Sequence, residues 1–193
     1  MTAESTTAEA ILDAARRAIA ERGPDALTMS AVARTAGISR PTLYRWFPRK
    51  ADLLSAIAAR EERAFDLGLQ EVIAAHRSPA RRLDAVLRYL VNSLDESMMP
   101  DPIGVDPAFA LGSLAESLEP HIEILVRLLG DALLQVPTVR TGKATKRDAA
   151  EMFLRLAYSH YLVPHGNAED LVGTMRRFAG ISGATSQRTS DLI

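Results

Sequence analysis

Apolar residues recur at helical spacing along almost the whole chain, and no stretch alternates apolar and polar residues as a half-buried strand must. Ile11, Leu12, Ala15, Ala18 and Ile19 form one stripe, closed by Gly23-Pro24. Leu83, Val86, Leu87, Leu90, Val91 and Leu94 form a second, and Ile122, Leu125, Val126, Leu129, Ala132 and Leu133 a third. Stripes of this kind belong to amphipathic helices with one face in a core. A capping-type residue followed by proline recurs at Ser78-Pro79, Asp106-Pro107 and, less typically, Glu119-Pro120. Proline fits the first helical turn, whose N–H groups have no intrahelical acceptor, so helices are predicted to start at each of these places. From 49 to about 76 only Gly68 interrupts a helical pattern, which predicts one helix roughly 40 Å long. Helices are also predicted over about 146–163 and 168–181. The fold class that follows is all-α, with about nine helices.

Three segments read as irregular. Residues 98–105 (MMPDPIGV) make a Pro/Gly-rich connection, and 136–145 (VPTVRTGKAT) a polar, basic loop. The Ser/Thr/Gly-rich tail 182–193 reads as disordered.

Thr28 can cap a short helix over 29–35, and Ser39 can cap another over about 40–47, with Pro41 in its first turn. Gly37 lies between them, where a left-handed turn residue is wanted. Two short helices joined this tightly make a helix-turn-helix, whose second helix can enter a DNA major groove. Ala33 is small where the helices must cross, and Ile38 and Leu43 are apolar where the motif needs core.

Charge supports a polyanionic partner. The chain as a whole carries a formal net charge of −1. Residues 28–50, however, hold Arg34, Arg40, Arg45, Arg49 and Lys50 and no acid. A solvated charged face usually carries both signs, whereas a phosphate-binding surface carries one.

The run TMSAVARTAGISRPTLYRWFPRKADLL, residues 28–54, resembles the DNA-binding signature of the tetracycline-repressor (TetR) family. Ala33, Gly37, Ile38, Ser39, Thr42, Leu43, Tyr44, Trp46, Phe47, Lys50 and Leu53 match it. Arg49 departs from it, standing where many members have a capping Ser, Asp or Asn; this predicts a weaker cap and an added cation. The resemblance implies DNA contacts from Thr28, Ser39, Arg40, Pro41, Thr42, Tyr44, Arg45, Arg49 and Lys50. Among these, Tyr44 and Lys50 would meet phosphates, and Arg40, Pro41 and Thr42 base edges. The plain alternatives are a half-buried core role for Tyr44, packing for Trp46 and solvation for Arg45.

The same resemblance divides the chain into a DNA-binding part (1–50) and a ligand-binding and dimerisation part (51–181). It implies a small-molecule pocket, for which Phe65, Tyr89, Met98, Met99, Phe109 and His121 are candidates, each of which could equally be plain core. No cluster of charges marks that pocket, which favours an apolar or amphipathic effector. The helix at 146–163 is apolar nearly all round and needs two apolar neighbours. In the family the last two helices pair with their copies, which makes Phe153, Ala157, Tyr161, Leu171, Met175 and Phe178 candidates for a homodimer interface. The function implied is a ligand-responsive transcriptional repressor on a palindromic DNA operator; a DNA-binding regulator without a ligand is the alternative.

Other classes find little support. Without cysteine there is no disulfide, thiolate metal site or cysteine nucleophile. No apolar run reaches the ~18 residues of a membrane span and no export signal is visible at the N-terminus, so a cytoplasmic protein is expected. Ser159 and His160 are neighbours that diverge by about 100° on a helix and cannot act as nucleophile and base. His121 between Glu119 and Glu123 lacks the spacing of a helical metal site, and no cofactor is expected.

Overall fold

Thr28, Ser39 and Asp106, read as caps from the sequence, begin helices in the computed structural model, which describes residues 3–95 and 106–181. Met98, Met99 and the tail 182–193 lie outside the described residues. Nine α-helices occur among the described residues: α1 (Ala3–Arg22), α2 (Met29–Thr35), α3 (Arg40–Trp46), α4 (Lys50–Ala74), α5 (Pro79–Asp95), α6 (Pro107–Leu129), α7 (Pro137–Arg140), α8 (Lys146–Leu162) and α9 (Ala168–Phe178). No strand occurs among them, so the fold is all-α. No helix is long and apolar enough to cross a membrane.

The number nine agrees with the sequence, but not helix by helix. Pro120 does not start a helix; it lies inside α6. Proline there withholds one backbone hydrogen bond and strains the preceding turn, at about 3 kcal/mol. The apolar stripe nevertheless runs through it unbroken, from Leu114 and Leu118 to Ile122, Leu125 and Leu129, all packed in or against one core. Burying that continuous face outweighs the local break. The segment after α6 is likewise more ordered than a polar loop. Gly130, at φ 48°, ends α6 and opens a 3-10 turn over Gly130–Gln135, and α7 follows with Val136 and Val139 buried.

Two hydrophobic clusters organise the chain. The first joins Ile11, Ala15 and Ile19 of α1, Val32 and Ala33 of α2, Leu43 of α3, and Leu53 and Ile57 of α4. Between α2 and α3 the chain turns at Gly37 (φ 68°), and the Ile38 N–H closes the turn on the Ala33 carbonyl at 3.0 Å. The second cluster holds Leu83, Leu87 and Leu90 of α5, Ile122 and Leu125 of α6, Phe153 and Ala157 of α8, and Val172 and Met175 of α9. Helix α4 belongs to both, giving Leu53 and Ile57 to the first and Leu69 to the second. The boundary between the two parts is therefore a shared helix. Ion pairs fasten its middle turns to both parts: Arg60 to Glu9 and Asp13 of α1, and Asp66 to Arg127 of α6.

Candidate functional site

The outer face of α3 is built from its caps upward. Ser39 is extended (φ −72°, ψ 151°), and its Oγ accepts the Thr42 N–H at 3.2 Å and bonds the Thr42 hydroxyl at 2.8 Å. Thr28 caps α2 in the same way, accepting the Ala31 N–H at 3.2 Å. Both hydroxyls are thus engaged locally while staying exposed. Leu43 is fully buried and fixes the rotation of α3, turning Arg40, Pro41, Tyr44 and Arg45 outward. Tyr44 is 47% exposed, whereas Trp46 and Phe47 pack against the first cluster. The aromatic pair is core, and only Tyr44 presents its ring to solvent.

The two cations that follow differ. Lys50 donates from Nζ to the Asp25 carbonyl at 3.3 Å, which holds it beside the α1–α2 turn. Arg49 is extended at the N-cap of α4, and its guanidinium donates to Asp52 from Nε at 3.1 Å and Nη2 at 2.7 Å. Asp52 also accepts the Arg49 N–H at 3.0 Å, so the third residue of α4 closes the end that Arg49 leaves without a side-chain acceptor. The Arg49 hydrogen bond holds the Asp52 carboxyl below its ordinary range. The acid-free run 28–50 is thus compensated at its C-terminal edge.

The second candidate site is a cavity of about 1200 Å³ walled by α1, α4, α5, α6 and α8. It brings together Phe65, Tyr89, Phe109 and His121 from three helices. Phe65 stacks on His121, with ring centroids 3.9 Å apart and 21° between planes, and lies 5.8 Å from the Tyr89 ring. His121 Nδ1 shares a 2.8 Å hydrogen bond with the Tyr158 hydroxyl. Tyr89 donates to the Phe65 carbonyl at 3.3 Å, in space that Gly68 leaves open: a Cβ on Gly68 would lie 2.3 Å from that hydroxyl oxygen. The glycine that the sequence merely tolerates in α4 makes room for the Tyr89 side chain of α5.

Tyr158, Tyr161 and Arg16 also line the cavity. None was read as a pocket residue. One signal was available for Tyr158: a tyrosine on a buried stripe needs a partner for its hydroxyl. Arg16 gave none.

Burial pushes the His121 imidazole down to about 4 and holds the Tyr158 phenol above its ordinary value, so the pair is neutral at physiological pH. This gives acid sensitivity of known sign. The unfolded chain protonates His121 near pH 6.5 and the folded chain only near 4. Stability is therefore complete above about pH 6.5 and is lost as pH falls toward 4, by about 3 kcal/mol. Urea unfolding should show wild type losing about 2–3 kcal/mol more than His121→Phe between pH 7.5 and 4.5; equal losses would remove His121 as the cause.

The candidate dimer residues differ in exposure. Phe153, Ala157 and Met175 are buried within the chain's own second cluster. Tyr161 is half-buried on the cavity wall and Leu171 packs against the second cluster. Only Phe178, 86% exposed, is fully outward; Met152 of α8 and Val163 just after it are exposed as well.

An exposed α3, on a three-helix unit that shares α4 with a helical part lining a cavity, has the arrangement of a helix-turn-helix. The family described as bacterial regulatory proteins, tetR family, matches residues 11–57, which span the first cluster from Ile11 to Ile57. Over those residues the chain is similar to that family. An HTH-type transcriptional regulator of Mycobacterium tuberculosis is 41% identical over 76 residues, 39% of this chain and 38% of that protein, so the match spans well under half of that relative's length. The HTH-type transcriptional repressor KstR of Rhodococcus jostii is 29% identical over 150 residues, 75% of this chain and 68% of KstR. The solved structure of FadR from Bacillus subtilis in complex with stearoyl-CoA matches with a TM-score of 0.64 at 18% identity, covering 92% of this chain and 99% of that one. At that identity the likeness is one of fold.

Proposed function

We propose that this protein is a ligand-responsive transcriptional repressor, a homodimer that covers a palindromic operator and leaves it when a small amphipathic molecule fills the cavity. Residues 1–50 read DNA, 51–181 bind effector and partner copy, and the protein works in the cytoplasm. One observation carries the reading. Ile19 and Ile57 belong to the core of the helix-turn-helix unit and also form cavity wall. A molecule in the cavity therefore presses on the core that orients α3. Repression and effector binding are further supported by relatives named as a repressor and as an acyl-CoA complex.

In this mechanism Arg40 and Pro41 reach base edges, Thr42 follows from the position that Ser39 fixes, and Tyr44, Arg45 and Lys50 contact phosphates. The dimer sets two α3 helices roughly 34–36 Å apart, one turn of DNA. Effector binding shifts the equilibrium only by its differential affinity for the free and DNA-bound conformations. Phe65, Tyr89, Phe109 and His121 contact it, and Met98 and Met99 are proposed to join them.

An operator selected from random duplex DNA, labelled for anisotropy, tests the reading. Tyr44→Phe and Lys50→Ala should weaken binding alike on all operator variants. Arg40→Ala should instead lose discrimination at one base pair, by about 1–3 kcal/mol. A uniform loss for Arg40→Ala would reassign it to the backbone. An operator complex that no amphiphile releases would favour the ligand-free regulator.

A further inference from the structure

We infer that the cavity takes an amphiphile whose head group carries no negative charge, neutral or cationic, and rejects free carboxylates and CoA thioesters. This rests on the cavity being the effector site. Its size, about 1200 Å³, exceeds the ~300–1,000 Å³ of most ligand sites and suits a long or polycyclic apolar body. Charge decides the head group. Among the described residues the wall carries the carboxylates Glu61, Glu62, Asp84 and Glu116 against the guanidiniums of Arg16 and Arg88.

Both arginines already face acids. Arg16 lies 3.8 Å from Glu61, and Arg88 pairs with Asp84 at 3.5 Å and also with Glu169. Asp84 is engaged by Arg176 as well, and Glu61 by Arg60. Glu62 of α4 and Glu116 of α6, both exposed, have no ion-pair partner among the described residues. His121 adds no compensating charge, since burial keeps it neutral.

The sequence adds no cation from the cavity-lining part of α6. Between Arg88 and Arg127 there is no Lys or Arg, but there are seven Asp or Glu. That stretch includes the end of α5 and the part of α6 that lines the cavity. An anion brought to roughly 6 Å from an unpaired carboxylate loses about ten- to a hundredfold in affinity at an effective dielectric near 20. A cation gains from the same carboxylates and from the aromatic rings of Phe65, Tyr89 and Phe109 on the wall. Stearoyl-CoA, the ligand of the B. subtilis FadR structure, carries phosphates that this wall has no surplus cation to receive, so that ligand does not follow from the shared fold.

Displacement of Nile red, a neutral polarity-sensitive dye, from the full-length protein by four decyl probes tests this. Decanol and decyltrimethylammonium should displace it at concentrations at least tenfold below decanoate, and decanoyl-CoA should fail. In the double variant Glu62→Gln/Glu116→Gln, whose positions are exposed and whose melting temperature should match wild type, the gap between ammonium and carboxylate should shrink below about threefold. Decanoate or decanoyl-CoA binding as tightly as decanol, or an unchanged gap in the double variant, would overturn the inference while leaving an effector site in place. Nile red that fails to bind, or that binds equally to the cavity-blocking Ser117→Trp, would remove the effector-site reading itself.

Discussion

Ala157→Glu is expected to abolish cooperative folding, while Phe178→Glu leaves the subunit folded and splits the dimer. Ala157 is 1% exposed on α8, in a cluster contributed by α5, α6, α8 and α9. A carboxylate forced there has neither partner nor water, and one such substitution costs more than about 4 kcal/mol of a total that is about 5–15. Phe178, at the end of α9, is 86% exposed in the single subunit. Covering each copy by a second subunit contributes roughly 1.5–3 kcal/mol, and a two-fold interface doubles it. Circular dichroism melts should show no transition for Ala157→Glu and a near-native one for Phe178→Glu. Sedimentation at micromolar concentration should show Phe178→Glu as a monomer beside a dimeric wild type. A dimeric Phe178→Glu would take the end of α9 out of the interface.

That contrast marks where the sequence is ambiguous. Helix α8 reads as apolar nearly all round, and periodicity cannot say which of two apolar faces meets its own core. Phe153 and Ala157 turn inward because α5 and α6 pack on that side. Local features were far more legible. Thr28, Gly37 and Ser39 sit where caps and a left-handed turn must, and they place α2 and α3 almost to the residue. Pro120 reads as the first turn of a new helix, although the stripe on either side keeps one phase and the helix runs through it. Phe65, Tyr89, Phe109 and His121 stood out as aromatic or polar residues on aliphatic faces, and the cavity collects all four. Its wall also needs Arg16 and Tyr158, far apart in the chain, and only tertiary packing brings these together.

Operator affinity is expected to fall about ten-thousandfold between 50 and 200 mM salt, and Asp52→Asn to steepen that fall. Each subunit offers Arg34, Arg40, Arg45 and Lys50 from the acid-free run, whereas Arg49 is engaged by Asp52 at 2.7 Å. If all four per subunit displace counterions, a dimer releases them from about eight phosphates, and the slope of log affinity against log salt is near −7. A fourfold rise in salt then removes about four decades. Replacing Asp52 with Asn takes away the charge that holds Arg49 but keeps an oxygen able to accept the Arg49 N–H at the start of α4. The freed guanidiniums, 78% exposed in the native pair, add two phosphate contacts per dimer and move the slope toward about −9. Affinity at low salt should rise with it, and base preference should stay unchanged because phosphate contacts carry no sequence information. Anisotropy titrations at five or six potassium chloride concentrations give both slopes. A wild-type slope near zero would detach the basic run from the DNA backbone, and an unchanged slope in Asp52→Asn would place Arg49 away from it.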